Sequence, residues 1–278
     1  MASSPTPSLT LRPAAERLGV HYMTAYRYVR TGRLPATRDG VQWVVDPADL
    51  AALSAPRPQG CARGSARAAR PGKLAARMIA GDEAGAWAVV DGALASGADP
   101  EDVYLDLLVP ALEAVGDGWQ EGRLSVADEH RATAVAQRLI GRLGPRFARR
   151  GRKRGTVVLG APPGELHALP TALVADLLRG IGFDVLDLGA DAPAKSFAET
   201  ATAANRLVAV GIVATTSGGE RAVRTTIGAL RDADVSAPVL VGGAAITNAD
   251  HARRLGADHW SGPDGRTAVA AVERAAGD

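Results

Sequence analysis

The stretch "TVVLGAPPGELHALPTALVADLLRGIG", residues 156–182, determines the fold of the carboxyl-terminal half of this chain. Its first five residues predict a strand, residues 161–170 predict a loop, and the periodic apolar residues that follow predict a helix. The loop places Glu165 and His167 one residue apart. A strand, a polar loop and a helix in this order predict one unit of an α/β sheet with two candidate ligand-binding side chains.

The same alternation runs to the end of the chain. Each further strand is followed by a predicted helix, and the strands lie at 183–189, 207–214, 238–243 and 258–260. Mostly apolar strands alternating with helices predict a doubly wound parallel sheet over residues 155–278. Ligands of such sheets bind beyond the carboxyl ends of the strands, where the 161–170 loop lies. That loop lacks both glycine-rich phosphate-binding patterns, and no acidic residue ends the first strand, which argues against a nucleotide site and a phosphorelay receiver.

Glu165 and His167 form a candidate metal-binding pair. A carboxylate beside an imidazole fixes the tautomer of the ring and makes its other nitrogen a better ligand. A loop histidine taken by itself is more often an ordinary polar surface residue. The local pattern leaves both interpretations open.

Two structured segments and a linker precede the sheet. Apolar residues at helical spacing predict a small bundle of three or four helices over residues 73–150, with helices at 73–95, 99–119 and 126–143. Residues 55–72 are rich in Pro, Gly, Ala and Arg and predict a linker. The basic stretch from Arg146 to Arg154 is interpreted as a second, solvated linker, with contact to DNA phosphate as the alternative.

Residues 8–54 predict a winged helix-turn-helix. A short helix from Pro13 to Gly19 precedes a second helix at 23–32, a hairpin joined by Asp39-Gly40, and a third helix after Asp46-Pro47. The candidate DNA-binding side chains lie on the second helix and the wing; they are Thr24, Arg27, Tyr28, Arg30 and Arg38. A protein-binding winged domain is the alternative. The segment resembles the excisionase-like winged helices related to regulators of the mercury-resistance (MerR) type.

Composition limits the classes of function. The formal net charge is only +2, so contact with nucleic acid requires a local patch of charge. Cys61 is the single cysteine, which excludes an intramolecular disulfide framework. The start "MASSPTPSLT" is not a signal peptide, and the longest apolar run, 207–214, is too short to span a bilayer. We expect a soluble cytoplasmic protein.

The stretch "WQEGRLSVADEH", residues 119–130, joins two helices of the bundle. Ser125 and a carboxylate three residues later predict a capping box, so Glu129 and His130 fall in the first turns of the new helix. The short connection can bring Trp119 back over them. A core tryptophan, a helix-terminal acid and an exposed histidine are the alternative interpretation.

"ELHALP" resembles the E/D-x-H-x-x-G signature of cobalamin-binding domains. The resemblance implies that His167 is the lower axial ligand to cobalt and that Glu165 supports it. It also implies a slot for the displaced nucleotide tail of the cofactor, lined after the third strand around Val213 and after the fourth strand by Gly242 and Gly243. This sequence departs from the pattern at two positions: Pro170 replaces the glycine, and Val213 replaces a serine. Thr215, Thr216 and Ser217 are then the candidates for the role of the serine.

The whole chain resembles the adenosylcobalamin-dependent photoreceptor repressors, which have a winged helix, a four-helix bundle and a doubly wound cobalamin-binding domain. The resemblance implies that Trp119 covers the upper face of the corrin and that Glu129 hydrogen-bonds the adenosyl group. His130 takes the upper cobalt position after light breaks the cobalt–carbon bond. It implies a repressor rather than an enzyme, with double-stranded operator DNA as partner and a homo-oligomer, a dimer or a tetramer, that light disassembles.

Two other functions stay open at this stage. A corrinoid carrier protein of a methyltransferase system has the same bundle and sheet. A cobalamin-independent DNA-binding regulator, whose degenerate sheet domain only oligomerises, is compatible with Pro170 and Val213.

Overall fold

The structure, a computed structural model, describes residues 9–18, 25, 29, 34–40, 42–54 and 64–277. The chain divides into two compact units, Met1–Ala66 and Arg67–Asp278. Among the described residues, no helix is both long enough and apolar enough to cross a membrane.

The first unit contains β1 (Leu9–Thr10), α1 (Leu11–Arg17), β2 (Thr37–Asp39), β3 (Gln42–Val45) and α2 (Pro47–Ser54). Strand β3 pairs antiparallel with β2, which confirms the predicted wing, and also with β1, which the sequence analysis did not predict. α1 begins two residues before the predicted start. Of the second helix, only Ala25 and Val29 are described, and both are helical.

The predicted turn of the wing lies one residue too early. Asp39 pairs with Gln42, so Asp39 belongs to the strand and not to the turn. Gly40 has a φ of +60°, which glycine adopts without steric cost. The start of α2 agrees with the prediction, because the Asp46 carboxylate accepts a hydrogen bond from the amide of Ala48 at 2.7 Å.

The helical part of the second unit begins inside the predicted linker. It contains α3 (Gly64–Ile79), α4 (Glu83–Ala95), α5 (Pro100–Val103), a π-helical turn (Tyr104–Leu108), α6 (Val109–Gln120), α7 (Val126–Leu143) and a 3₁₀ turn (Gly144–Phe147). Residues 64–72 are therefore helical, because alanine and arginine in "SARAAR" favour a helix once the following turns pack. The buried residues shared by these helices include Leu74, Met78, Val90, Leu108, Leu139 and Leu143.

The predicted doubly wound sheet is confirmed. It contains β4 (Thr156–Gly160), α8 (Leu169–Gly180), β5 (Asp184–Asp187), α9 (Ala194–Ala203), β6 (Leu207–Val213), α10 (Glu220–Asp232), β7 (Val239–Gly242), α11 (Ala249–Arg254), β8 (His259–Trp260) and α12 (Gly265–Ala275). Within residues 64–277 its strands are parallel in the order β5-β4-β6-β7-β8. The order reverses at β4, so the crevice between β4 and β6 is the switch point where such sheets bind ligands.

A buried hydrogen bond joins the bundle to the sheet domain. Tyr104 is fully buried in the π-helical turn and donates its hydroxyl to the carboxylate of Asp176 on α8 at 2.8 Å. Burial raises the pKa of Tyr104 well above its usual value, and the hydrogen bond to Asp176 raises it further. Arg179 donates to the other oxygen of the same carboxylate at 2.9 Å, so the buried charge is paired.

We expect Tyr104→Phe to lower the free energy of unfolding by about 1–3 kcal/mol, because it leaves one oxygen of a buried carboxylate without its donor. The aromatic ring and its packing against Phe147 are kept. Thr226→Val is the control, since it removes a buried hydroxyl that bonds only to a carbonyl of its own helix. Urea denaturation measures both; equal losses in the two variants would contradict the assigned role of the hydrogen bond.

Candidate functional site

The carboxylate of Glu165 is the centre of the loop that follows β4. Glu165 is 5% exposed, and one oxygen, Oε2, accepts hydrogen bonds from the amides of Thr215 at 2.6 Å and Thr216 at 2.8 Å. The Thr215 hydroxyl donates to the same oxygen at 2.8 Å. These bonds tie the loop after β4 to the loop after β6, on the two sides of the switch point.

The other oxygen of Glu165 orients His167. Oε1 lies 2.5 Å from Nδ1 of the imidazole and accepts a hydrogen bond from the His167 amide at 3.1 Å. Burial alone would raise the pKa of Glu165, but the bonds from His167, Thr215 and Thr216 lower this pKa to about 2. Glu165 is therefore a carboxylate at neutral pH, and its negative charge favours the tautomer of His167 with the proton on Nδ1.

The remaining nitrogen of His167 is available to a ligand. The side chain is 62% exposed, and among the described residues no donor or acceptor is bonded to Nε2. A neutral imidazole whose Nδ1 proton is held by a carboxylate is the usual form of a histidine metal ligand. No group of three or more metal-ligating side chains occurs in the described part of the chain, so any metal here must bring most of its own ligands.

A cavity of about 490 Å³ lies between the bundle and the sheet domain, and its walls are mainly apolar. The bundle supplies Leu105, Val109 and Leu112, and the strands supply residues such as Val157 and Leu240. Volumes of 300–1,000 Å³ are typical of small-molecule sites. Pro170, Val213, Gly242 and Gly243 all line this cavity; their role in holding a nucleotide tail stays a prediction.

The fold itself explains why glycine stands at two of those positions, 242 and 243. A Cβ atom on Gly242 would lie 1.9 Å from the hydroxyl of Ser261, and one on Gly243 would lie 2.4 Å from the carbonyl oxygen of Ala214. Gly243 also has a φ of +100°. Both glycines are thus required by the close approach of the chain to itself, whatever the cavity holds.

Pro170 is compatible with the helix that follows the loop. It lies in the first turn of α8, where backbone amides have no partner within the helix, so its missing donor costs nothing. The departure from the glycine of the signature therefore leaves the helix intact.

The predicted role of Thr215, Thr216 and Ser217 in the tail slot stays a prediction. None of them lines the cavity with Gly242 and Gly243. Thr215 and Thr216 bond to the Glu165 carboxylate, while Thr216 and Ser217 line a separate crevice together with Glu165. Two of the three residues therefore contact the candidate site through Glu165.

The end of the bundle carries the other predicted ligand-binding residues. Trp119 is 47% exposed and lies seven residues, or about two turns, after the cavity-lining Leu112, so it shares the face of α6 that meets the cavity. The predicted capping box of Ser125 and Asp128 starts α7. The partners of Glu129 lie on its own helix, namely the Thr133 hydroxyl at 2.7 Å and His130 Nε2 at 3.7 Å. The His130 side chain is 72% exposed.

Only one of the predicted DNA-binding residues can be placed. Arg38 is exposed on β2, and its guanidinium lies 5.4 Å from the ring centre of Trp43. Thr24, Arg27, Tyr28 and Arg30 lie outside the described residues. Their assignment to DNA stays a prediction.

The polar mouth of the cavity was not predicted from the sequence. Arg266, at the start of α12, lines the cavity and donates to Asp106 of the π-helical turn at 3.1 Å. It also lies 3.6 Å from Glu101. The only local signal was the helix start at "PDGRT", which says nothing about contact with residues 160 positions away.

Family models match three parts of the chain. A helix-turn-helix domain matches residues 8–54, and two models described as B12 binding domains match residues 72–143 and 155–273. The matches cover the predicted winged helix, the bundle and the sheet domain in that order.

Several curated proteins and solved structures that are similar to this chain are named as corrinoid proteins. Trimethylamine corrinoid protein 2 of Methanosarcina mazei is 30% identical over 201 residues, which is 70% of this chain and 90% of that protein. A corrinoid protein of Desulfitobacterium hafniense is 29% identical and covers 73% of this chain and 94% of its own length. The monomethylamine corrinoid protein of Methanosarcina barkeri shares the fold, with a TM-score of 0.64 at 20% identity over 73% of this chain and 96% of its own.

We expect Glu165→Gln to lower the free energy of unfolding at pH 7 by roughly 1–3 kcal/mol, because an amide cannot accept every bond that the buried carboxylate accepts. The folded pKa of Glu165, about 2, lies below the ordinary value of 4.5. The difference in free energy of unfolding between the wild type and Glu165→Gln is therefore complete above about pH 4.5. It is lost as the pH falls towards 2.

Asp191→Asn is the matched control, since Asp191 accepts one amide bond in the same region but is exposed. Urea denaturation of both variants between pH 3 and pH 7 measures the difference. A Glu165→Gln loss that does not shrink on acidification would contradict this account.

Proposed function

Because the chain belongs to the family of cobalamin-binding corrinoid proteins, we propose that it is a cobalamin-dependent DNA-binding regulator with His167 as the lower ligand to cobalt. The observation that carries the proposal is the Glu165–His167 pair at the switch point, where a buried carboxylate holds one imidazole nitrogen and leaves the other exposed. Cobalamin, when bound, would supply a cobalt ion that needs few ligands from the protein, and His167 would hold it.

The donor set fits this cofactor. A single protein nitrogen suffices, because the corrin provides most of the coordination, and His167 is the one histidine beside a buried carboxylate at the switch point. The apolar cavity lined by Pro170, Val213, Gly242 and Gly243 suits the nucleotide tail that His167 would displace from the cobalt. Glu165 keeps its negative charge at neutral pH and so strengthens His167 as a ligand.

We expect His167→Ala to bind less adenosylcobalamin than the wild type after gel filtration, or to hold it with the absorption spectrum of the base-on cofactor. His259→Ala is the control, because His259 is an exposed histidine on β8. Uptake and spectra are measured in the dark from equal protein concentrations. Identical uptake and identical spectra for wild type and His167→Ala would overturn the assignment.

The helix-turn-helix match is the observation that favours a regulator. The corrinoid protein of Desulfitobacterium hafniense matches this chain over 94% of its own length. That match leaves about a quarter of this chain uncovered. The helix-turn-helix model matches residues 8–54, outside both B12-binding matches. A DNA-binding role accounts for that extra part, and Arg38 on the exposed wing suits phosphate contact.

A corrinoid carrier of a methyltransferase system is the second candidate. The names of the similar proteins favour it, since they are corrinoid proteins of trimethylamine and related methylamines. A carrier needs the bundle, the sheet domain and His167, but it does not need residues 8–54.

Selection of genomic DNA fragments by the full chain separates the two candidates. The regulator enriches a specific duplex in the presence of adenosylcobalamin in the dark. If no duplex is enriched with or without the cofactor, the regulator is overturned and the carrier is favoured. Enrichment without any cobalamin dependence would favour the cobalamin-independent regulator.

We propose further that light acts through the end of the bundle and a homo-oligomer, a dimer or a tetramer. Trp119 is exposed on the cavity face of α6 and would cover the upper face of the corrin. Glu129 is half-buried and would hydrogen-bond the adenosyl group. His130 has an exposed imidazole in the second turn of α7, which is a suitable cobalt ligand once light has removed that group. Movement of α7 would then disturb contacts between subunits and weaken multivalent DNA binding.

We expect His130→Ala to bind adenosylcobalamin in the dark as the wild type does. After green light it should lack a bis-imidazole spectrum and lose the dark oligomer slowly or reversibly, because no imidazole takes the upper position. Size-exclusion chromatography in dark and light, with His259→Ala as control, measures this. A wild-type oligomer that is unchanged by light would overturn the photoreceptor role.

A further inference from the structure

A cluster of cations covers the amino-terminal edge of the parallel sheet. Residues 146–154 contain six Lys and Arg and no Asp or Glu. Arg206, which directly precedes β6, lies against the same segment. These seven residues, here called the basic edge, are Arg146, Arg149, Arg150, Arg152, Lys153, Arg154 and Arg206, and all except the half-buried Lys153 are exposed.

The basic edge is exposed to solvent, as the sequence predicts, and the fold also anchors part of its backbone. The Arg154 amide donates to the carbonyl of Gly182 at 3.0 Å. The guanidinium of Arg206 donates to the carbonyls of Lys153 at 3.2 Å and Arg154 at 3.4 Å, and Lys153 Nζ donates to the carbonyl of Arg149 at 3.1 Å. The cations are therefore brought together before any partner binds.

Most of this charge is not neutralised by the protein. Arg154 pairs with Glu273, and Lys153 lies 3.9 Å from Asp184. The other five cations have no acidic partner within 4 Å among the described residues, and Arg149 and Arg206 bond only to backbone carbonyls. Arg206 also has a φ of +53°, a costly conformation for a residue with a side chain. Like charges held together in this way are stabilised by a polyanion.

The location separates the basic edge from the cobalamin site. Arg154 lies two residues before β4, whereas Glu165 and His167 follow the other end of that strand. Five residues of strand span about 16 Å. The phosphate of a cobalamin tail in the cavity at the carboxyl edge is therefore not the partner of these arginines.

We propose that the basic edge binds the phosphate backbone of double-stranded DNA without reading its sequence. Arginine suits this role because its planar guanidinium binds phosphate in a bidentate manner and stays charged. The choice of DNA rests on the proposed DNA-binding function, since the helix-turn-helix domain brings duplex DNA to the same chain. The overall charge of only +2 means that this patch, and not the protein as a whole, attracts the polyanion.

The test uses Arg150→Gln/Arg152→Gln in the full, adenosylcobalamin-loaded chain, kept in the dark. Fluorescence anisotropy with a random-sequence 30-bp DNA duplex is measured over a range of KCl concentrations. Loss of two phosphate contacts should reduce the slope of log K against log salt by about 1.8, since each contact contributes about 0.9. Arg253→Gln/Arg254→Gln is the control, because it removes the same charge from exposed positions on α11. Cobalamin uptake should be unchanged in both variants.

Several results would contradict the role of the basic edge or the DNA-binding function on which it rests. Equal salt slopes for wild type and Arg150→Gln/Arg152→Gln overturn it, as does an equal change in the control. If binding to vesicles containing phosphatidylserine falls in this variant while DNA binding does not, a membrane surface is the partner and the proposal is wrong. A wild type that binds no DNA at low salt overturns the DNA-binding function itself, whereas sequence-specific binding that is unaffected by the variant overturns only the basic edge.

Discussion

The buried carboxylate of Glu165 is the interaction on which the candidate site depends. A charge inside a protein is stable only when it is fully hydrogen-bonded, and here the amides of Thr215 and Thr216 supply much of that bonding. Because those amides belong to the loop after β6, the carboxylate fixes two loops of the switch point at once. His167 takes its orientation from the same group, so the ligand nitrogen is positioned before any cofactor binds.

The candidate site also depends on the packing of the bundle against the sheet domain. Leu173 and Leu177 of α8 belong to the same apolar core as the helices of the bundle. The Tyr104–Asp176 hydrogen bond adds a polar link at the π-helical turn, and Arg266 adds an ion pair at the mouth of the cavity. The π-helical turn also places Leu105 in the cavity wall. The same turn therefore carries both the hydrogen bond to α8 and part of the cavity lining.

The two edges of the sheet have opposite characters. The carboxyl edge carries His167, which Glu165 orients, and an apolar cavity is lined by the ends of β6 and β7 at the same edge, which suits one bound cofactor. The amino edge holds a group of arginines most of which have no acidic partner among the described residues, which suits an extended polyanion. Parallel strands make this separation possible, because all their loops of one kind lie at one edge.

Local patterns in the sequence were enough for the secondary structure of the sheet domain and for the capping box at Ser125, because each depends on a few neighbouring residues. They were also enough to predict the glycine pair at the cavity. The choice of His167 as a cobalt ligand rests on a local pattern too and stays a prediction. The role of Thr215 and Thr216 was not predictable, because their hydrogen bonds reach a carboxylate about 50 residues away. The same holds for Arg266 and for the basic edge, where Arg206 bonds to carbonyls more than 50 residues earlier. Sequence alone determined which elements form and which residue types stand at their ends; only the tertiary structure decided which of those ends meet, since that depends on burial and on the pairing of distant polar groups.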